Sequence, residues 1–190
     1  MGQSQEKGGF FKKVINIIAG NPTPAPKGST DAPGIYEPQE AESLDLRFVK
    51  NFTKSGGHFL YCKDLAELKS NIANVCQEQN AKFIYTCEDD IKEILKDVPL
   101  ELQTKANQSN AICSNCEALI AQIGGIMIDD IQTGGIRLKE LPEVHIIVAK
   151  TSQIVENLHA GMAKINNKYK SNRPGQLTTL KGSQDESVRQ

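Results

Sequence analysis

The amino-acid sequence predicts an α/β domain of three layers, in which a mostly parallel sheet is flanked by helices and one local β-hairpin is added. Short runs rich in β-branched residues alternate along the chain with segments whose apolar residues recur every three or four positions. Such alternation is typical of βαβ units, which bury parallel strands between helices. A length of 190 residues fits one domain of this type.

Composition and charge favour a folded chain and exclude several classes of function. With 38% hydrophobic and 24% charged residues, the chain has enough apolar material for a core. The 22 Lys and Arg residues against 23 Asp and Glu give a formal charge of −1, so there is no general attraction to nucleic acid or anionic lipid. The absence of Trp and an aromatic content of 5% leave few platforms on which bases could stack. We therefore expect no nucleic-acid partner.

Cysteine usage indicates a reducing compartment. Five cysteines, an odd number, are scattered through apolar segments and lack the paired pattern of a small secreted domain. The apolar run Phe10–Ala19 is too short to span a bilayer, contains two lysines, and is not followed by a small-residue cleavage site. We therefore expect a cytoplasmic protein without a membrane span.

An N-terminal tail is predicted for residues 1–38, and one α/β domain for residues 39–190. Residues 20–38 contain five prolines, a composition that favours extended, solvated chain. Apolar residues within Phe10–Ala19 recur at helical spacing and predict a short amphipathic helix. Such a helix can dock on its own domain, on a second copy of the chain in a homo-oligomer, on another subunit, or on a membrane surface.

Residues 40–110 are expected to form three helices and two strands. The first helix, Glu40–Lys54, carries an apolar stripe and ends at Gly56-Gly57. Asp64, with Glu67 three residues later, is the signature of a capping box at the start of the second helix. The strands are expected at His58–Cys62 and Lys82–Cys87, and the third helix is marked by Ile91, Ile94 and Leu95.

The remaining residues are expected to form five strands and two helices. A helix over Cys116–Ile123 is predicted, with Ser114 or Asn115 as its N-cap and Gly124 at its end. The segment Gln132–Gly135 has the polar and glycine chemistry of a hairpin turn. A further helix, capped by Thr151 or Ser152, carries apolar residues from Ile154 to Ile165. The strands are expected at Ala111–Cys113, Gly125–Asp129, Ile136–Leu138, Val144–Lys150 and Leu177–Leu180.

The common signatures of phosphate, dinucleotide, zinc-protease and esterase sites do not occur in the sequence. Cys113 and Cys116 form a C-x-x-C pair next to a predicted strand end, a spacing compatible with redox or cluster chemistry. A single pair supplies only two of the four ligands of a tetrahedral metal site, and cysteine is also a common core residue. The core interpretation is favoured, so we expect this chain to bind no metal or cofactor.

Glycine pairs and one arginine are the candidate ligand-binding residues. Gly56-Gly57 before His58, and Gly124-Gly125, would let the backbone approach an anion, but a glycine pair after a helix is also explained by its C-cap. The Arg137 guanidinium can orient a carboxylate or phosphate, or can form an ordinary salt bridge with a neighbouring acidic residue. We retain Gly124, Gly125, Arg137 and His58 as candidates and assign no catalytic residue.

Several blocks of the sequence together resemble the LUD domain of the lactate-utilization protein C family, over residues 40–183. The resemblance rests on Arg47–Thr53, Gly56–Cys62, Glu117–Ile126, Arg137–Pro142 and His145–Val148. It implies a fold similar to the NagB/RpiA/CoA-transferase group. It also implies a partner, an iron–sulfur oxidoreductase that oxidises L-lactate to pyruvate and whose cluster cysteines belong to the partner subunit.

Two departures from the family pattern indicate a divergent member without catalytic activity of its own. Where the family has Ala-Glu-Thr-Gly-Thr, this chain has Ala121-Gln122-Ile123-Gly124-Gly125 and so lacks a carboxylate and a hydroxyl. The family's Gly-Pro-Ser-Arg-Thr-Ala-Asp-Ile-Glu is only faintly matched by Gly182–Ser187.

Two functional hypotheses follow from these observations. The first is an accessory protein of L-lactate oxidation. The alternative is an enzyme or sensor that binds a small carboxylate or phosphorylated metabolite in a pocket at the carboxyl ends of the parallel strands.

Overall fold

Two four-stranded sheets form the framework of the chain in a computed structural model, which describes residues 42–170 and 173–182. The helices of this part are α1 (Leu44–Lys54), α2 (Leu65–Glu78), α3 (Asp89–Leu95) and α4 (Leu158–Tyr169). The strands are β1 (Phe83–Tyr85), β2 (Glu101–Gln103), β3 (Ala111–Ser114), β4 (Ala118–Ile120), β5 (Gly125–Asp129), β6 (Val144–Ile147), β7 (Ile154–Val155) and β8 (Leu177–Leu180). The predicted tail, with its helix at Phe10–Ala19, lies outside the described residues.

The first sheet is parallel throughout and has the strand order β2-β1-β3-β6. Helices α2 and α3 contribute apolar side chains to a core on this sheet, where Ile72, Ile84 and Ile91 are almost completely buried. Burial of each such side chain contributes about 1.5–3 kcal/mol. The predicted α/β class with a mostly parallel sheet is confirmed by this half of the structure.

The second sheet is mixed, with the order β7-β4-β5-β8. Strands β4 and β5 are antiparallel, and each face of this pair is covered. Phe48 of α1 packs with Leu119 and Ile126 on one face, whereas Ile165 of α4 packs with buried residues of the other face. Because alternate residues of β4 enter different cores, the strand Ala118–Ile120 is completely or nearly completely buried.

Burial on both faces explains the main error of the sequence analysis. The predicted helix at Cys116–Ile123 is wrong, since its centre is strand β4. A strand that is apolar on both sides lacks the alternation that identifies a half-exposed strand, so periodicity alone cannot distinguish it from a buried helix. The local hairpin is therefore formed by β4 and β5. The turn predicted at Gln132–Gly135 does not lead into a strand at Ile136–Leu138, because a 3₁₀ helix at Leu138–Glu140 follows instead.

Other elements differ from the prediction at their boundaries. Residues 58–62, predicted as a buried strand, have no regular structure, and Tyr61 is 61% exposed. The helix predicted to start at Thr151 or Ser152 is preceded by a 3₁₀ turn and the short strand β7, and its N-cap is Asn157. Strand β2 was not predicted, because three residues at a sheet edge leave little pattern to detect.

The predicted N-cap of α2 is confirmed, whereas the second bond of a capping box is shifted by one residue, from the amide of Asp64 to that of Lys63. Asp64 Oδ1 accepts a hydrogen bond from the Glu67 amide at 2.8 Å, and the Glu67 carboxylate accepts one from the amide of Lys63 at 2.9 Å. Strands predicted at 82–87, 111–113, 125–129, 144–150 and 177–180 are also found, with shorter bounds in some cases. No helix in residues 42–170 or 173–182 has the length and apolar character needed to cross a membrane.

The burial of β4 can be tested with a matched pair of isoleucines. Ile120 is completely buried, whereas Ile123 in the following turn is 36% exposed. We expect Ile120→Ala to lower the free energy of unfolding by about 2–5 kcal/mol, because it leaves a cavity between two packed layers. Ile123→Ala should change it by about 0.5 kcal/mol or less. Urea denaturation of both variants is the measurement, and equal losses would contradict the assignment of β4 as the buried centre.

Candidate functional site

The four residues predicted to bind a ligand are not gathered in one place. Gly124 and Gly125 lie where β5 begins, whereas Arg137 follows the other end of that strand. The five residues of β5 separate these ends by roughly 13 Å at the rise of an extended strand. His58 is exposed and follows the C-terminal end of α1.

Close packing accounts for Gly124 and Gly125. Gly124 has a φ of +59°, and a Cβ atom there would lie 2.3 Å from the backbone nitrogen of Phe52. A Cβ atom at Gly125 would lie 2.8 Å from a methyl carbon of Thr179 in β8. Gly124 therefore requires glycine, and a side chain at Gly125 would have to displace that of Thr179, because the β4–β5 turn is pressed between α1 and β8.

A side chain of α1 holds the same turn. Asn51 Nδ2 donates hydrogen bonds to the carbonyl oxygen of Ala121 at 2.8 Å and to that of Gln122 at 3.2 Å. The departure from the family pattern at Gln122 and Ile123 therefore falls in a turn that α1 fixes in position.

The Gly56-Gly57 pair forms the C-cap of α1. The Gly56 amide donates to the carbonyl of Thr53 and the Gly57 amide to that of Phe52, both at 3.0 Å. This is the Schellman arrangement of a helix end, with Gly56 at a φ of +89°. The C-cap alternative is thus confirmed for this pair, whose amides are both engaged by the helix.

Arg137 lies on the surface with its side chain 71% exposed. One guanidinium nitrogen is 4.0 Å from Glu140 Oε1, which is a weak ion pair between exposed groups. This contact agrees with the ordinary salt bridge that the sequence analysis gave as one of two roles for Arg137.

The C-x-x-C cysteines are core residues. Cys113 is completely buried and Cys116 is 3% exposed, and the two side chains belong to different apolar clusters. Burial raises the pKa of each thiol to about 12, so both stay protonated at neutral pH. Within the described residues, no group of three or more His, Cys, Asp or Glu side chains is placed to hold a metal ion.

Polar side chains gather instead at the carboxyl ends of β1 and β3. Strand β2 lies on one side of β1, and β3 and β6 lie on the other, so the strand order reverses between β1 and β3. A crevice at such a reversal is the usual ligand position in open α/β sheets. Glu88 follows β1 here, and Asn115 follows β3.

Hydrogen bonds join these two loops. Glu88 accepts from the Asn115 amide at 2.7 Å and from its side-chain Nδ2 at 3.2 Å. The same Nδ2 donates to Asp90 at 2.6 Å. Burial raises the pKa of Glu88, although Asn115 opposes this shift, and the nearby charges of Asp90 and Asp129 raise it further.

A serine and a histidine are paired beside these two loops. Ser114 Oγ lies 2.7 Å from His145 Nε2 and 3.0 Å from the carbonyl oxygen of Asn115. Burial lowers the pKa of His145 to about 4, so its ring is neutral at physiological pH. Since Ser114 is completely buried, the pair joins β3 to β6 rather than presenting a nucleophile to solvent.

A second polar cluster lies between β4, β5 and α4. We call it the Glu117 network, and its members are Glu117, Asp129, Gln132, Lys168 and Tyr169. Glu117 Oε1 accepts hydrogen bonds from Gln132 Nε2 at 2.9 Å, Lys168 Nζ at 2.7 Å and the Tyr169 hydroxyl at 3.0 Å. The Tyr169 hydroxyl also lies 3.1 Å from Asp129 Oδ2. The network ties the last turn of α4 to the mixed sheet.

The electrostatics of this region are dominated by acidic groups. Although burial opposes it, hydrogen bonds with Glu117 and Tyr169 raise the pKa of Lys168 to about 12. Burial raises the pKa of Tyr169 to about 12, and the neighbouring carboxylates contribute to the same shift. Four carboxyl groups, those of Glu88, Asp90, Glu117 and Asp129, thus lie in this region, and Lys168 donates a hydrogen bond to Glu117.

Sequence reasoning missed these residues for different reasons. Glu88 and Asn115 each follow a predicted strand, so the rule that ligands lie at strand carboxyl ends would have selected them. Glu117 and Asp129 flank the apolar residues of the β4–β5 hairpin. Their hydrogen bonds with Lys168 and Tyr169 depend on how α4 packs against this hairpin. No local signal in the sequence reports that contact.

Comparison with known proteins gives three related results. The LUD domain family matches residues 46–186. A lactate utilization protein C from Deinococcus radiodurans is 29% identical over 91 residues, which cover 47% of this chain and 42% of that protein. The aligned region therefore spans less than half the length of this curated relative.

A solved structure shows the same fold. The crystal structure of a DUF162 family protein from Deinococcus radiodurans superposes with a TM-score of 0.58 at 20% sequence identity. The match covers 74% of this chain and 87% of that chain. It supports the α/β architecture described above.

Thiol reactivity tests the assignment of Cys113 and Cys116 to the core. In the native chain at pH 8, iodoacetamide should leave both cysteines unmodified, because each is buried and its pKa is about 12. Cys62 is half-buried and serves as the internal comparison. Peptide mass spectrometry before and after unfolding in urea is the measurement. Rapid native labelling of Cys113 or Cys116 would reveal a reactive thiol and contradict the assignment.

Proposed function

Because this chain belongs to the LUD domain family, we propose that it acts in L-lactate utilisation, as an accessory protein of an iron–sulfur oxidoreductase. The match of the family over residues 46–186 carries this proposal. The similarity of this chain to a lactate utilization protein C supports lactate as the substrate class of the system. In the reaction, L-lactate loses two electrons and two protons to give pyruvate, and the electrons pass to the cluster of the partner.

The chemistry of the described residues favours an accessory role over catalysis. Ser114 is buried, His145 is neutral and hydrogen-bonded, and the C-x-x-C thiols remain protonated. At the carboxyl ends of β1 and β3, Glu88 and Asn115 bond to each other. These groups stabilise the two sheets, and oxidation would take place on the partner subunit.

The acidic side chains at the carboxyl ends of β1 and β3 also disfavour the binding of lactate there. Lactate is an anion at neutral pH, and at the carboxyl ends of β1 and β3 the carboxyl groups of Glu88 and Asp90 already accept hydrogen bonds from Asn115. Placing a further anion beside these acidic groups is unfavourable where the surroundings are partly buried. The candidates for anion binding lie elsewhere, with Arg137 on the surface and the glycines closely packed. The accessory role is therefore the better supported of the two hypotheses.

Growth on L-lactate tests the proposed role in the native cell. We expect a strain that lacks the chain to lose growth on L-lactate and to retain growth on pyruvate, because only the oxidation step is affected. Extracts of that strain should lose most lactate-dependent dye reduction, and expression of the full chain should restore it. Normal lactate oxidation without the chain would overturn the proposal.

A matched pair of surface variants separates the two hypotheses. Arg137 and Lys139 are neighbouring exposed cations, and Arg137 alone was a candidate for anion binding. If the chain is an accessory protein, the Arg137→Ala and Lys139→Ala chains should restore lactate oxidation equally in the deficient strain. Selective failure of Arg137→Ala, together with loss of ligand-induced thermal stabilisation, would support the small-anion alternative instead.

Purification under anaerobic conditions tests the partner. Tagged chain taken from its native cell should co-elute with an iron-containing oxidoreductase, identified by mass spectrometry and by iron analysis of the eluate. An iron-free, solitary chain would contradict a stable complex with an iron–sulfur partner.

A further inference from the structure

The Tyr169 hydroxyl lies between two buried carboxyl groups. Its oxygen is 3.0 Å from Glu117 Oε1 and 3.1 Å from Asp129 Oδ2. The Glu117 side chain is 3% exposed, and Asp129 is 2% exposed. A hydroxyl has one proton to donate and accepts hydrogen bonds at its lone pairs. It therefore cannot donate fully to both carboxylates.

The other contacts of Glu117 decide where the hydroxyl proton goes. Glu117 Oε1 already accepts from Gln132 Nε2 and from the charged Lys168 Nζ, so this carboxyl group is an ionised acceptor. The Tyr169 proton fits the same acceptor. The remaining contact, between Tyr169 and Asp129 Oδ2, then requires a proton from Asp129.

The surroundings of Asp129 fit a protonated carboxyl group. Its Oδ1 accepts two backbone hydrogen bonds, from Ile131 at 3.0 Å and from Gln132 at 3.1 Å, as a carbonyl oxygen does. Its Oδ2 is left to face the Tyr169 hydroxyl. A carboxyl group that accepts at one oxygen and donates from the other satisfies every polar atom in this contact.

We propose that Asp129 binds a proton at Oδ2 and donates it to Tyr169, which donates in turn to Glu117, so that one proton fastens the end of α4 to β5. The charged and titratable groups that face Asp129 are Glu117 from the start of β4, Lys168 and Tyr169 from α4, and Glu88 from the loop after β1.

The pKa of Asp129 agrees with this arrangement. Burial raises it from its ordinary value and the Glu117 charge raises it further, whereas the backbone hydrogen bonds from Gln132 and Ile131 and the contact with Tyr169 lower it. A carboxyl group whose folded pKa is raised stabilises the fold fully below its unfolded pKa, about 3.9 for aspartate. That stabilisation is lost as the pH rises through the folded pKa. The contact between α4 and β5 should therefore weaken with rising pH.

Two isosteric substitutions distinguish the carboxyl groups. Asp129→Asn replaces the protonated acid by an amide that also accepts at one atom and donates at the other. We expect this variant to melt at or above the wild-type temperature at pH 7, and to show a smaller fall in melting temperature between pH 5 and pH 8. Glu117→Gln removes an ionised acceptor that holds Lys168, so its melting temperature should fall by several degrees. Equal losses in both variants would overturn the proposal.

Carboxyl ¹³C NMR of the wild-type full chain gives an answer even if a variant fails to fold. The Asp129 resonance, assigned through its backbone, should titrate at higher pH than those of exposed aspartates such as Asp89, whose pKa is lowered by its hydrogen bond with Lys92. Titration of Asp129 together with the exposed aspartates would show that it is ionised in the network and would overturn the proposal.

Discussion

Burial of the β4–β5 hairpin on both faces is the constraint on which the rest of this structure depends. Its register pairs Ala118 with Met127, and the Glu117 amide donates to the Met127 carbonyl at 2.8 Å. The polar residues at the open end of the hairpin are thereby drawn inside the protein. Helix α1 must supply an aromatic surface on one face and α4 an aliphatic surface on the other, because neither face of the hairpin can remain in water.

Drawing Glu117 and Asp129 inside creates an electrostatic problem that the Glu117 network solves. An isolated buried carboxylate is strongly unfavourable, so each group needs hydrogen-bond donors or a proton. Lys168 and Gln132 stabilise the charge of Glu117, and two backbone amides hold Asp129. Since the donors from α4 lie at its last turn, the same bonds that satisfy the carboxyl groups also fix the end of this helix. The packing of α4 and the stabilisation of the two buried carboxyl groups thus depend on the same hydrogen bonds.

The sequence allowed a structural element to be predicted where its signal is local, and failed to do so where the structure depends on contacts between distant residues. The capping residues Asp64 and Glu67 predicted the start of α2, and the glycines after α1 predicted its end. Strand β4 was mistaken for a helix because both of its faces are apolar, which is a property of the layers around it. In the same way, Gly124 and Gly125, chosen for their freedom to approach a ligand, proved to be closely packed against α1 and β8. Glu117 acquires its role from Gln132 and, far along the chain, from Lys168 and Tyr169.

The two ends of the hairpin have different chemistry, and this difference bears on function. At the turn, held by Asn51, the chain has Gln122 and a partly exposed Ile123 where the family pattern has a carboxylate and a hydroxyl. At the open end, acidic groups are retained, but they are occupied by Gln132, Lys168 and Tyr169. The turn thus carries an amide and a partly exposed apolar side chain, and the polar groups of the open end hold α4. This arrangement is consistent with the accessory role that we propose.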